Sequence, residues 1–161
     1  MSRSISVRRA TADDRKVFVG IFRSAVSGGA EGVMTPSQIT AWTSVAEDAD
    51  AFGERMLQAT AWIADLDGRP AGFATLHEDG RVGMLYVRGD SQRHGVGVLL
   101  LRTAIDAAER AGCHRMYAEA SVFSHPVFLR CGFHLTGTEP VTRAGQTFTH
   151  YLVARELAGR D

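Results

Sequence analysis

The apolar residues of the chain follow two periods, one typical of strands and one typical of helices. Apolar and polar residues alternate over residues 5–9, which predicts a first strand. Apolar residues then recur at helical spacing, so we expect a helix that starts after the N-cap residue Thr11 and continues to about residue 26. Gly28 and Gly29 follow and are expected to end this helix.

A second helix has a strong start signal, and the period then changes to that of strands. Residues 35–38 read Thr-Pro-Ser-Gln, which combines an N-cap, an early proline and a capping-box glutamine. Another short helix is expected over residues 47–58. The later elements are predicted in this order: strands at 61–66, 69–77 and 81–87, a long helix at 95–111, a strand at 114–120, a short helix at 126–130, and strands at 133–141 and 146–157. This order predicts the α/β (α+β) class, with a mixed, mostly antiparallel twisted sheet flanked by helices.

Composition limits the classes of function. The chain has 161 residues, of which 45% are hydrophobic and 22% are charged, and these values predict one domain over residues 1–161. Eighteen Lys and Arg residues balance eighteen Asp and Glu residues, so no field of one sign attracts nucleic acid or an anionic membrane. No apolar run approaches the ~18 residues that a membrane span needs. We therefore expect neither nucleic acid nor membrane as a partner.

The cysteines and histidines show no metal-binding pattern. The two cysteines, Cys113 and Cys131, lack a CxxC motif and a partnering cluster of histidines. This argues against a disulfide-rich scaffold and against structural zinc. The six histidines have no close metal-ligand spacing, so we predict no bound metal. Two reduced thiols are typical of a cytoplasmic protein.

The segment before the long helix carries the first chemical signal, because Gly95 and Gly97 fall at the predicted helix start. A helix N-terminus presents unpaired N–H donors and the positive end of its dipole, and glycine lets a phosphate approach the backbone. An anion site is one interpretation, and close packing of the helix is the other. The Walker pattern GxxxxGK(S/T) is absent. Glu119 adds an acid at the distance of a dinucleotide fingerprint, but Leu100 replaces the third glycine, which disfavours that reading.

Several stretches resemble the GNAT superfamily of N-acetyltransferases, and they occur in the family's order. Met84-Leu-Tyr-Val87, followed by Gln92-Arg-His-Gly-Val-Gly97, resembles the acetyl-CoA motif Q/R-x-x-G-x-G/A. Ala120-Ser121 and Ser124-His-Pro-Val-Phe-Leu-Arg-Cys-Gly-Phe133 resemble a second landmark, AS…(P)FFxxxGF, of a bacterial subgroup. The segment Thr35-Pro-Ser-Gln…Trp42 also resembles that subgroup. Together these stretches cover most of the chain.

The resemblance implies acetyl-CoA as the cosubstrate and assigns residues to it. Backbone groups of Leu85, Tyr86 and Val87 would pair with the pantetheine arm, because in the family this strand splays from its successor. The pyrophosphate loop corresponds to the following residues: Gln92, Arg93, His94, Gly95, Val96, Gly97 and Val98. Ser121 and Phe128 complete the expected cofactor site. The alternatives are a solvated surface arginine at Arg93 and an ordinary strand-end serine at Ser121.

The resemblance also implies that an amine of a small molecule or peptide attacks the acetyl thioester directly, through a tetrahedral intermediate. The family's usual acid is a tyrosine at the position of Phe128, and a phenyl ring cannot donate a proton. Tyr86 is the residue that we consider for the catalytic role, and a tyrosine packed in its strand is the alternative. His77, Glu78 and His125 are candidate bases by position, each with a surface or turn role as the alternative.

The acceptor is expected to be selected by residues 28–58. There, Trp42, Phe52 and Met56 are candidates for the wall of a substrate cleft or for the core. The alternative function is a non-catalytic acyl-CoA-binding sensor or regulatory module, because Phe128 removes the usual acid. Release of coenzyme A that depends on an amine distinguishes the two. The resemblance is also compatible with a homodimer.

Overall fold

The computed structural model describes residues 3–30 and 32–158, so both ends of the expected domain, residues 1–2 and 159–161, lie outside the described residues. The helices and strands follow in this order: β1 (Ile5–Arg9), α1 (Arg15–Gly29), α2 (Pro36–Thr43), α3 (Ala49–Leu57), β2 (Thr60–Leu66), β3 (Arg69–Leu76), β4 (Val82–Val87), α4 (Val96–Arg110), β5 (Arg115–Ala120), α5 (His125–Arg130), β6 (His134–Arg143) and β7 (Gln146–Glu156). Short 3₁₀ turns precede α1, α3 and α4. These antiparallel sheets flanked by helices confirm the predicted fold class.

The strands form two sheets where the sequence predicts one. The first has the order β1-β2-β3-β4, and the second has the order β5-β7-β6. β4 and β5 meet at an isolated parallel bridge between Arg81 and Tyr117, where the Tyr117 N–H donates to the Gly80 carbonyl oxygen at 3.2 Å. Beyond this bridge the two strands share no ladder in the described part of the chain, so β4 keeps an open edge of backbone polar groups.

Helix α1 ends later than the sequence predicts, at Gly29 and not near residue 26. The Ala30 N–H donates to the Val26 carbonyl oxygen at 2.9 Å, so the last helical turn includes Gly28 and Gly29. Gly28 also packs closely, because a Cβ there would lie 2.6 Å from the Cα of Gly89 in the turn before α4. The Gly89 N–H donates to Ser24 Oγ at 3.1 Å in the same contact. The glycines therefore let α1 support the loop that leads into α4.

The capping box predicted for the second helix is confirmed. The Gln38 N–H donates to Thr35 Oγ1 at 3.2 Å, and the Thr35 N–H donates to Gln38 Oε1 at 2.9 Å. α2 then carries the buried Trp42 against Phe148 of β7, with the two ring centroids 4.8 Å apart. This packing joins the helical layer to the second sheet.

Two hydrophobic clusters cover the two faces of the first sheet. One lies between the sheet and α4, and the other is a largely aromatic cluster beneath α1, α2 and α3. Neighbouring residues of β2 enter different clusters, Ile63 with the aromatic one and Ala64 with the α4 one, because strand side chains alternate in direction. Among the described helices, none has the length and apolar character needed to cross a bilayer.

Asp14 ties β1 to the start of α1, and it is 5% exposed. Its carboxylate accepts hydrogen bonds from the Arg8 guanidinium at 2.9 and 3.0 Å and from the Thr11 N–H at 2.8 Å. The hydrogen bonds from Arg8 lower the pKa of Asp14 below its ordinary value. A carboxyl group of this kind stabilises the fold above the ordinary Asp pKa of about 3.9, and the stabilisation is lost as pH falls through the lowered pKa.

Asp14→Asn is therefore expected to lower the free energy of unfolding at neutral pH by about 2 kcal/mol, because charged hydrogen bonds are lost while Arg8 stays partly solvated. The wild type should also lose more stability than the variant when the pH falls below about 4. Urea unfolding at neutral and acid pH measures both effects. Asp13→Asn is the control, since Asp13 is an exposed neighbour. Equal unfolding midpoints for the two variants at both pH values would contradict this role of Asp14.

Candidate active site

A cleft of about 200 Å³ opens beside the free edge of β4 and reaches the start of α4. We call it the first cleft. Its wall contains Leu85, Tyr86 and Val87 of β4, Gln92 of the loop and Gly97 of α4. The end of α1 and the turn before α5 form the opposite side. The structure thus brings together residues from both segments that the sequence assigns to the cofactor.

The start of α4 forms a polar end of the first cleft. Gly95 is the N-cap residue with φ of 82°, a left-handed conformation that glycine adopts without strain. The Leu99 N–H donates to the Gly95 carbonyl oxygen at 3.0 Å. The N–H groups of Val96, Gly97 and Val98 precede this bond, so they have no partner within the helix. Such a helix start favours a phosphate group by both hydrogen bonding and its dipole.

The loop side chains differ in their contacts. Gln92 Nε2 donates to the Val87 carbonyl oxygen at 2.8 Å, so this side chain lies across the end of β4. Arg93 and His94 are exposed, and Arg93 has a left-handed φ of 67°. Arg93 is not one of the described residues that line the first cleft, so its contact with a phosphate stays a prediction.

A second cleft, of about 120 Å³, adjoins the first and shares Leu85, Tyr86 and Ser124 with it. Its remaining wall comes from β4, β5 and α5, from Arg143 at the end of β6, from His150 within β7, and from Trp42 of α2. The two cavities meet at the shared residues. A group bound in one would therefore lie next to a group bound in the other.

Ser121 and Phe128, both expected at the cofactor, line the second cleft. Ser121 Oγ accepts hydrogen bonds from the Phe123 N–H at 3.1 Å and the Ser124 N–H at 3.2 Å, which stabilises the turn before α5. Phe128 is 2% exposed and packs edge-on against Phe133, with ring centroids 5.0 Å apart. Both residues thus shape the junction between β5 and α5.

Glu119 of β5 and His150 of β7 line the second cleft, and Glu139 of β6 lies beside His150. His150 Nδ1 lies 3.4 Å from Glu119 Oε2 and 3.8 Å from Glu139 Oε1. His150 is 8% exposed, and its Nδ1 has no hydrogen-bond partner among the described residues. The three share one sheet face, because Glu139 pairs with His150 and Glu119 pairs with Leu152, two positions along β7. No motif in the sequence predicts this cluster.

The cluster has two chemical uses. Its three ligand atoms lie within 4.8 Å of one another, which is compatible with a bound metal ion. Arg81, however, places its Nε 3.9 Å from Glu119 Oε1, and this positive charge opposes a cation at the same carboxylate. A buried imidazole nitrogen that faces two carboxylates is also suited to accept a proton, because the carboxylates stabilise the charge that the ring gains.

Tyr86 stands between the two clefts and is 7% exposed. Trp42 Nε1 donates to its hydroxyl oxygen at 3.2 Å, which leaves the hydroxyl proton available to another acceptor. Burial raises the pKa of Tyr86, while the Trp42 hydrogen bond and the Arg143 charge act in the opposite direction. Its ring packs edge-on against Phe22 at 4.9 Å. Both interpretations of Tyr86 therefore fit: the ring is packed, and the hydroxyl remains a protonated donor.

The bases considered from the sequence occupy other surroundings. His77 and Glu78 line a different cleft, around the turn between β3 and β4. His125 stacks on the Tyr151 ring with centroids 4.0 Å apart, and burial lowers its pKa. None of these three lines the second cleft, where Glu119 and His150 lie.

The three apolar residues considered for the acceptor site separate into two groups. Trp42 lines the second cleft. Trp42, Phe52 and Met56 all belong to the aromatic cluster beneath the helices, but Phe52 and Met56 do not line the second cleft. Within residues 28–58, α2 is therefore the helix that contributes directly to the second cleft.

The splayed sheets, the open edge of β4 and the helix start beside it define the fold of N-acetyltransferases. The crystal structure of a GCN5-related N-acetyltransferase from Rhodopseudomonas palustris shares this fold with a TM-score of 0.90 and 26% identity, covering 98% of this chain and 99% of that chain. YncA, a putative acetyltransferase from Salmonella typhimurium solved with its cofactor acetyl-CoA, has a TM-score of 0.67 and 21% identity, covering 97% of this chain and 95% of that chain.

The sequence comparisons agree with the fold. YafP, an uncharacterized N-acetyltransferase from Escherichia coli K12, is 28% identical over 148 residues, which cover 92% of this chain and 93% of that protein. The family model of the acetyltransferase (GNAT) domain matches residues 30–154. The chain belongs to the GNAT family of acetyltransferases, as the sequence motifs predict.

Proposed function

We propose that this chain transfers an acetyl group from acetyl-CoA to an amine of a small molecule or peptide, and that the whole chain forms one N-acetyltransferase domain. The junction of the two clefts at Leu85, Tyr86 and Ser124 carries this proposal. The first cleft combines an open strand edge with a helix N-terminus, and the second combines the Glu119 carboxylate with the His150 imidazole. A thioester at the junction would be within reach of an amine in the second cleft.

Acetyl-CoA is proposed to occupy the first cleft. The free N–H groups at the start of α4 would hold the pyrophosphate, and the edge of β4 would pair with the pantetheine arm like an added strand. Arg93 would add a charge-assisted contact to a phosphate. The cofactor acetyl-CoA in the structure of YncA, which has the same fold, supports this assignment.

The acceptor nitrogen is proposed to attack the thioester carbonyl carbon directly. A C–N bond forms, the tetrahedral intermediate collapses, the C–S bond breaks and coenzyme A leaves as its thiolate. His150 would accept the proton from the acceptor, while Glu119 and Glu139 face the charge that its ring gains. Tyr86, which lines both clefts, would donate its hydroxyl proton to the thiolate.

Acetyl-CoA is expected to raise the thermal unfolding midpoint, and NADH is expected to leave it unchanged. A ligand at ~100 times its dissociation constant adds about 2.7 kcal/mol to stability, which corresponds to a shift of roughly 5–10 °C for a chain of this size. Dye-monitored unfolding measures the shift. A shift with NADH alone would indicate a dinucleotide site, and no shift at millimolar acetyl-CoA would contradict the cofactor assignment.

Turnover separates the transferase from an acyl-CoA-binding sensor or regulatory module. Free coenzyme A should appear only when a primary amine accompanies acetyl-CoA, at a rate well above hydrolysis, and a thiol reagent detects it. A protein that acetyl-CoA stabilises but that releases no coenzyme A with any amine would be the binding module.

A cytoplasmic location fits this function, because the thiols of Cys113 and Cys131 are free and acetyl-CoA is the proposed cosubstrate. If two copies associate, we propose the free edge of β6, which exposes Leu135, as their contact.

A further inference from the structure

Arg143 places a positive charge without a carboxylate partner in the second cleft. Its side chain lines this cleft, and its guanidinium carbon Cζ lies 4.2 Å from the centre of the Trp42 ring. Among residues 3–30 and 32–158, no carboxylate forms an ion pair with this guanidinium. Arg81, the other arginine of the cleft, differs in that Glu119 lies 3.9 Å from it.

The contact with Trp42 orients the guanidinium and leaves its donors free. A guanidinium that packs on an aromatic ring through its face keeps its N–H groups available around its edge. Those N–H groups form a fork that matches the two oxygens of a carboxylate. The charge of Arg143 also acts on the Tyr86 hydroxyl, where it opposes the rise in the pKa of Tyr86 that burial causes.

The charges of the second cleft are therefore arranged in two parts. Glu119 lies between His150 and Arg81 in one part, and Arg143 forms the other. Both parts pack against the same indole, since the His150 ring lies 6.3 Å from the Trp42 ring. An acceptor with an ammonium group alone would add a cation to a cleft that already contains Arg81 and Arg143. An acceptor that also carries a carboxylate would satisfy both parts.

We infer that the acetyl acceptor is a small aminocarboxylate, whose carboxylate binds Arg143 and whose amine lies at His150 beside Glu119. This inference rests on the proposed function of the second cleft as the acceptor site. The cleft volume of about 120 Å³ limits the buried part of the acceptor to a small molecule. Arg143 is then a residue that determines specificity.

Matched acceptors test this inference. The common α-amino acids and the linear amino acids from β-alanine to aminohexanoate are each compared with their primary amides, which keep the amine and lose the negative charge. The best acid should exceed its amide in kcat/KM by about tenfold or more in the wild type, because its carboxylate gains charge-assisted hydrogen bonds. The measurement is amine-dependent release of coenzyme A.

Arg143→Gln should reduce the acid-to-amide ratio to less than about threefold, mainly through a higher KM for the acid. Arg143→Lys should keep part of the preference, because it retains the charge without the fork. Arg110→Gln is the matched control, since Arg110 is exposed on α4 and pairs with Asp106. Two results would overturn the inference. One is an equal kcat/KM for acids and amides in the wild type, and the other is an acid-to-amide ratio that is unchanged in Arg143→Gln.

A binding measurement separates this inference from the proposed function. Calorimetric titration of the same acids and amides, with coenzyme A present, needs no turnover. Binding of acids but not of amides by the wild type, together with loss of acid binding in Arg143→Gln, would support the aminocarboxylate site. If no acetyl transfer occurs in that case, only the transferase proposal is contradicted. Absence of any binding or turnover by the acids would overturn the inference as well.

Discussion

Replacing Gly97 with aspartate is expected to weaken acetyl-CoA binding by about 100-fold or more, because like charges in close contact cost several kcal/mol. Gly97 is the second residue of α4, and it lines the first cleft. The new carboxylate would lie among the N–H groups proposed to hold the pyrophosphate. An acidic residue in the first turn of a helix is favourable to the helix itself, so the fold should persist.

The control variants separate charge from bulk. A Cβ on Gly97 would lie 3.4 Å from the methyl groups of Val127, so Gly97→Ala is expected to fold and to lose much less affinity. Gly20→Asp adds the same charge to an exposed site of α1, where a Cβ would meet nothing within 4 Å. It should bind acetyl-CoA like the wild type. Calorimetric titration provides the dissociation constants, and equal values for Gly97→Asp and wild type would remove the start of α4 from the cofactor site.

Local signals account for the parts of the fold that the sequence predicts well. The pair Asp67-Gly68 is typical of a tight hairpin, and the structure has Leu66 paired with Arg69 around two left-handed residues, with φ of 52° and 82°. The division into two sheets depends instead on how β4 meets β5, which is a contact between distant segments. The sequence carries no local signal for that contact.

The two clefts also differ in how far local sequence signals predict them. The first cleft is built largely from consecutive residues at the end of β4 and the start of α4, so a short motif predicts it. The second cleft requires the pairing of β5, β7 and β6, and a shift of one residue would turn His150 to the other face. A bulge between Leu135 and Gly137 further obscures the register of β6. In the sequence, Glu119 suggests only the acid of a dinucleotide fingerprint, whereas in the structure it faces His150.

His150→Gln is expected to lower kcat by about 100- to 10,000-fold at neutral pH, the usual contribution of a general base. Glutamine keeps a polar group in the buried position but cannot accept the acceptor's proton. The affinity for acetyl-CoA should stay unchanged, because His150 lines the second cleft and the cosubstrate is assigned to the first. Steady-state kinetics with the best acceptor and calorimetry with acetyl-CoA measure the two quantities.

The pH dependence distinguishes a lost base from a distorted site. A primary amine loses its proton unaided as pH approaches its own pKa, which is about 10 for an alkylamine, so the ratio of wild-type to His150→Gln rates should narrow as pH rises. A structural defect would leave that ratio constant. His134→Gln, an exposed substitution on β6 of the same sheet, should keep the wild-type rate across the range. Full activity of His150→Gln at neutral pH would contradict the role of His150 as the base. Solvent or another group would then take the proton from the acceptor amine.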